Sequence, residues 1–157
     1  MSGGRDCSAI IGGMQAYLAR VQPDHESGGY VVTFPDFGYG ATQGETEAAA
    51  AEMAQDLLML TIGDFIRESK PLPVPRRHRG SKYRLVSLPA LQSAKVDLYC
   101  ALLESGLTKA EFARRIGIPK THIQRLLSLR HHSRLDLIES AFASLGKRLH
   151  VEVRNAA

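Results

Sequence analysis

The hydrophobic period of this chain switches between two residues and 3.6 residues, and prolines mark the switches. Residues 15–21 alternate, with Tyr17, Ala19 and Val21 on one side and Ala16, Leu18 and Arg20 on the other. Tyr30-Val31-Val32-Thr33-Phe34 is a β-branched and aromatic run that Pro35 stops. Both segments predict strands, and the polar stretch 24–29, ending in Gly28-Gly29, predicts the turn between them. A short third strand is expected around 41–43. From Glu45 the spacing becomes helical. Thr46 is placed as the N-cap, Glu47 falls in the first turn where a carboxylate suits the dipole, and Ala50, Met53, Leu57 and Leu60 form one apolar stripe. The helix should end near Ser69, because Pro71 restricts what precedes it. Pro71, Pro73 and Pro75 follow, then the basic run Arg76-Arg77-His78-Arg79, then a strand over 83–88 that Pro89 ends. Residues 14–89 therefore read as β-β-β-α-β. Residues 90–157 read as helices followed by one strand. Residues 1–13 are Gly-rich and without periodicity; they are expected to be a disordered extension, with Met14 as the natural start.

Charge divides at the same place. Residues 1–70 carry four basic and ten acidic side chains, a net −6, whereas residues 71–157 carry sixteen and six, a net +10. The two halves should meet different partners, and a polyanion suits the second. The two cysteines, Cys7 and Cys100, have no metal-ligand spacing and make no disulfide scaffold. No apolar run approaches the ~18 residues of a membrane span, and none resembles a signal peptide. A reducing cytoplasm is the expected setting, with no cofactor, no metal and no membrane.

The second half contains a dense local signal over 108–129. Thr108-Lys109-Ala110-Glu111 is a capping box, in which Thr108 caps the N3 amide and Glu111 reaches back. Ala113 is small enough for a second helix to cross closely, and Gly117 suits a turn of positive φ. Pro119 opens a helix in which Ile123, Leu126 and Leu127 should face inward. Lys120, Thr121, His122, Gln124 and Arg125 should face outward, uninterrupted by a carboxylate, with Arg130 just beyond. Such side chains bond base edges and phosphates. A helix is expected before this pair, over 94–104. Another is expected after it, over 134–145, with Ser133 and Asp136 as a second capping box and Leu135, Ile138, Phe142 and Leu145 as its stripe. The arrangement over 94–145 resembles the phage-repressor (Cro-type) helix-turn-helix domain. It departs from it at Pro119, where a small polar cap is commoner.

The first half carries its own resemblance. The run 29–37, with Phe34-Pro35-Asp36-Phe37 after the strand, and then Thr42-Gln43-Gly44-Glu45-Thr46-Glu47-Ala48-Ala49 resemble the HicB antitoxin family. The departure is Gly38, where many relatives have proline. Together with the helix-turn-helix, the likeness extends over almost the whole chain. It implies an α+β fold: a truncated ribonuclease-H-like domain without nuclease activity over 14–89, then an all-α DNA-binding domain over 90–157. It implies a HicA-type RNA-cleaving toxin as partner, masked by the front domain, with Phe34, Pro35, Asp36 and Phe37 as candidate contacts. It also implies operator double-stranded DNA as the second partner and a homodimer or tetramer. The residues themselves agree with a non-enzyme: the strand segments 15–21 and 30–34 lack the converging carboxylates a two-metal nuclease needs. Asp36, in a turn after a strand, reads as structural.

Two further features stand apart. Arg76-Arg77-His78-Arg79 reads as a solvated loop, and His131-His132 as surface or phosphate contact. Residues 147–154 alternate strictly, with Leu149, Val151 and Val153 on one face, yet no strand nearby in this half can pair with them. Two copies pairing antiparallel would satisfy both edges, so this strand is expected to dimerise the chain. The competing readings are a ligand-sensing transcriptional regulator without a toxin partner and, against the missing carboxylates, a nuclease.

Overall fold

The computed structural model describes residues 10–11 and 14–155. In chain order it forms β1 (Ile10–Ile11), β2 (Met14–Pro23), β3 (Tyr30–Thr33), β4 (Ala41–Gly44), α1 (Glu47–Arg67), β5 (Tyr83–Ser87), α2 (Ala90–Ser105), α3 (Lys109–Ile116), α4 (Lys120–Leu127) and α5 (Leu135–Ser144). The fold is α+β, and the β-β-β-α-β order holds. Ile10 and Ile11, assigned from sequence to the extension, pair instead with Gln15 and Met14. The rest of that extension lies outside the described residues.

The alternating segment 15–21 becomes the centre of the sheet. β2 takes β3 on one edge, Arg20 opposite Thr33 and Pro23 opposite Tyr30. It takes β5 on the other, Ala16 opposite Ser87 and Arg20 opposite Tyr83. β4 pairs with β3, giving the antiparallel order β5-β2-β3-β4. The β2–β3 turn closes with the Asp24 amide donating to the Gly29 carbonyl at 2.9 Å. Gly29 has φ +83°, and a Cβ there would lie 2.5 Å from the Gly44 carbonyl oxygen.

α1 lies across the sheet and contacts four of its strands. Thr46 caps it, its hydroxyl accepting from the Ala49 amide at 3.1 Å. The buried face is Ala50, Ala54, Leu57, Leu58, Thr61, Ile62 and Ile66, set against Tyr17, Ala19, Val21, Val32 and Phe34. Met53 and Leu60, counted into the stripe from sequence, are about half exposed, at 45% and 48%. The helix turns its small residues to the sheet because β4 approaches closely. A Cβ on Gly44 would lie 2.4 Å from the Ala50 nitrogen, which leaves room for alanine and none for a larger side chain.

After α1 the chain returns across the core. Leu72 is buried, and the Tyr17 hydroxyl donates to the Pro73 carbonyl at 2.9 Å. α2 then meets the start of β2: the Gln15 amide donates to Ser93 Oγ (3.1 Å), and Gln15 Nε2 donates to Asp97 Oδ1 (2.6 Å). The Tyr99 hydroxyl donates to the Lys70 carbonyl at 2.7 Å, and Lys109 Nζ to that of Ile66 at 2.9 Å. One hydrophobic cluster runs from the sheet and α1 into α2–α5.

Two expectations for the C-terminal end differ from the structure. α5 is capped at Arg134 without a side-chain bond; Asp136 pairs with Arg134 at 2.7 Å instead of forming a box with Ser133. Leu135 of the expected stripe is 55% exposed, whereas Ile138 and Phe142 are buried. Residues 147–155 form no strand in the single chain. Leu149 is half-buried, while Val151 and Val153 stand in solvent. Alternation supplies a strand's side chains but not its hydrogen-bond partner.

Candidate functional site

The turn between α3 and α4 is built as its sequence requires. The Glu111 amide donates to Thr108 Oγ1 at 3.1 Å, and the Thr108 amide donates to Glu111 Oε2 at 2.8 Å. Bonds from the Thr108 amide and then its hydroxyl hold the Glu111 carboxyl below its usual value. Gly117 ends α3 in the left-handed region, at φ +73°, and the Ile118 amide donates back to the Ala113 carbonyl at 3.1 Å. Phe112 and Ala113 are buried against Ile123, Leu126 and Leu127. Pro119 stands at the N-cap of α4 rather than in its first turn, so α4 begins without a side-chain cap.

That packing brings the expected reading residues to one surface. Lys120, Thr121, His122, Gln124, Arg125 and Arg130 are all exposed. α4 contains no carboxylate. Its exposed face fronts a cleft of about 670 Å³, and the opposite wall is α1, with Leu60, Gly63, Asp64 and Arg67. Asp64, the carboxylate lining that cleft, is paired with Arg67 at 2.7 Å. His131 and His132 are exposed beside Arg130.

A buried cation was missed by sequence reasoning. Lys95 of α2 is fully enclosed, and its ammonium donates to the Ser128 carbonyl at 2.7 Å, to that of Arg125 at 3.5 Å, and to that of His131. Burial pushes its pKa down to about 8, which leaves it protonated at neutral pH. The available signal was spacing: Lys95, Tyr99 and Leu102 fall at i, i+4 and i+7, one face of a helix.

The turn after β3 is different in kind. Phe34 and Phe37 are core residues; Phe37 lies 4.6 Å from Tyr17 and 5.5 Å from Phe65, ring centre to ring centre. The Asp36 side chain is 1% exposed, 3.0 Å from His78 Nε2, and accepts from the Arg76 amide at 3.2 Å. His78 in turn stacks on Tyr83. Of Phe34, Pro35, Asp36 and Phe37, only Pro35 is exposed, and Asp36 has the structural role expected of it. Arg76, Arg77 and Arg79 are exposed around this anchor. Among the described residues, no cluster of His, Cys, Asp and Glu could hold a metal ion, and no helix is long and apolar enough to cross a membrane.

Residues 16–97 match a family described as the HicB-like antitoxin of bacterial toxin–antitoxin systems. Antitoxin HicB of Escherichia coli is 38% identical over 122 residues, spanning 78% of this chain and 88% of that protein. Antitoxin HicB 1 of Photorhabdus laumondii is 33% identical over 151 residues, 96% of this chain and 94% of that one. A solved chain from a toxin–antitoxin complex of Streptococcus pneumoniae is 25% identical, with a TM-score of 0.40, covering 68% of this chain and 91% of that one.

Proposed function

The chain belongs to the HicB-like antitoxin family of bacterial toxin–antitoxin systems, and from that premise we propose that it masks a HicA-type RNA-cleaving toxin and represses its own operon. In this reading α3 and α4 form a helix-turn-helix. Lys120, Thr121, His122, Gln124 and Arg125 enter the major groove, and Arg130 contacts the backbone. The observation that supports it most is the α4 surface: five polar or cationic side chains in eight residues, none acidic, over a buried Ile123, Leu126 and Leu127. The sheet and α1, which carry most of the acidic residues, form the truncated ribonuclease-H-like domain that meets the basic toxin. The turn 34–37 faces the toxin through Pro35, while Phe34, Asp36 and Phe37 hold its shape. Leu149, Val151 and Val153 pair with a second copy, giving a homodimer or tetramer. That two-fold axis sets two α4 helices about 34 Å apart on a palindromic operator.

The test uses DNA upstream of the chain's own reading frame. Wild type should bind it with an affinity that falls steeply with salt. A Gln124→Ala, Arg125→Ala variant should lose roughly 1–3 kcal/mol per base-reading contact. Unchanged affinity in that variant would remove α4 from the interface. Co-expression with the adjacent toxin tests the other half: growth must be rescued by the wild-type chain. The cleft between α1 and α4 favours a second reading, a regulator whose DNA affinity responds to a small molecule held there. Loss of operator binding with a metabolite, without any toxin in the neighbouring frame, would select it.

A further inference from the structure

Lys95 has a role that burial alone does not explain. A fully enclosed lysine is rare unless paired with a carboxylate. None is bonded to this one among the described residues; its partners are three backbone carbonyls. Those carbonyls belong to the end of α4 and to the turn after it, where a helix leaves acceptors unsatisfied and a cation is electrostatically favoured. The ammonium has three donors and meets three acceptors. A neutral amide would have two donors on a shorter stem, and an apolar side chain none.

The same face of α2 makes a second hold. Gln92, three residues earlier, donates from Nε2 to the Leu129 carbonyl at 3.3 Å. Leu129 itself is buried. Four carbonyls, those of Arg125, Ser128, Leu129 and His131, are therefore bound by two side chains of α2. The turn cannot change its backbone path without breaking these bonds. Arg130 projects from the middle of it into solvent.

We propose that Lys95, assisted by Gln92, is a positioning residue for nucleic-acid recognition. It fixes the turn after α4 and so sets where Arg130 and His131 stand relative to the reading face of α4. The inference rests on the DNA-binding reading above. It adds that operator affinity depends on a side chain that touches no DNA, because the contact residues are held in register from behind.

The experiment uses the full chain with Lys95→Met, Lys95→Arg and Gln92→Leu. Three quantities are measured: Kd for the upstream DNA, Kd for an unrelated duplex at low salt, and amide hydrogen exchange in the free protein. Lys95→Met should weaken upstream binding by about tenfold or more while changing binding to the unrelated duplex far less, since bulk charge near phosphates is barely altered. Exchange at the amides of 128–131 should rise with little change in α2 and α5. Lys95→Arg, which keeps the cation and its donors, should recover most of the specific affinity. Gln92→Leu should give a smaller loss in the same direction, and it keeps the inference open to refutation if Lys95→Met does not fold. Upstream binding unchanged in Gln92→Leu and in every folded Lys95 variant overturns the inference alone. Absence of upstream binding by the wild type overturns the DNA reading and this inference with it.

Discussion

Gly44→Ala is the substitution whose cost can be worked most directly from the structure. The new methyl would lie 2.4 Å from the Ala50 nitrogen, 2.8 Å from the Ala50 Cα and 2.9 Å from the Ala49 carbonyl carbon. All three are backbone atoms, so no side chain can swing away. Ordinary contact needs about 1 Å more, and either the end of β4 or the first turn of α1 must supply it. Moving α1 lengthens the bond from the Ala49 amide to Thr46 and opens the packing of Ala50, which is fully buried. Overpacking of this kind costs about 1–3 kcal/mol, and a lost cap about 1 kcal/mol more. The expected total is roughly 2–4 kcal/mol, a large part of the ~5–15 kcal/mol by which small domains are stable. Two other glycines calibrate it. Gly38 has φ +75° in open space, so Gly38→Ala should cost only the backbone strain of about 1–2 kcal/mol. Gly63 lies inside α1 with nothing near its missing Cβ, so Gly63→Ala should stabilise by up to ~1 kcal/mol. Urea unfolding followed by far-ultraviolet circular dichroism ranks the three at constant m-value. A Gly44→Ala protein no less stable than Gly38→Ala would refute the reasoning, since it would mean that α1 is free to move off the sheet.

Other perturbations test separate contacts. Thr108→Ala removes one side of the capping box and should lower stability by about 1 kcal/mol in the same urea assay. Glu111 is an acid whose folded-state pKa lies below its usual value, so its contribution is present above the unfolded value and lost as pH falls through the folded one. The urea midpoint should therefore fall below about pH 4.5, and Glu111→Gln should flatten that part of the profile; an identical profile in the variant would assign the acid sensitivity elsewhere. Tyr99→Phe takes the donor from the Lys70 and Phe65 carbonyls and should cost roughly 1–2 kcal/mol, read as a lower thermal midpoint.

The two strands with clean alternation, the N-cap at Thr46 and the Thr108–Glu111 box were legible because each depends on a few neighbouring residues. The buried face of α1 was only half legible. Counting large apolar residues pulled the stripe toward Met53 and Leu60, whereas the sheet selects Ala50 and Ala54 through the closeness of Gly44. The candidate reading surface on α4 could be placed from helical spacing alone. The turn at 34–37 could not, because which of Phe34, Pro35, Asp36 and Phe37 faces solvent is decided by partners as distant in sequence as Phe65 and His78. Lys95 was hidden for a related reason: lysine is read as surface, and only the carbonyls of a helix thirty residues on make it an interior residue. The terminal alternation at 147–154 carries information about a strand but none about what completes it.

The link between Gln15 and α2 bears on how such a chain can be assembled by gene shuffling. The family-matched span does not stop at Pro89, where the sheet's last strand ends, but at Asp97, the second of two α2 side chains that bond Gln15. A recombination breakpoint at Pro89 would hand the recipient a sheet whose buried Gln15 amide has lost its acceptor, at about 1–3 kcal/mol. A breakpoint after Asp97 carries both partners along. The heritable cassette is then the sheet, α1 and the opening two turns of α2. Whatever DNA-reading helices are joined downstream must offer a residue that can occupy the place of Tyr99 over the end of α1.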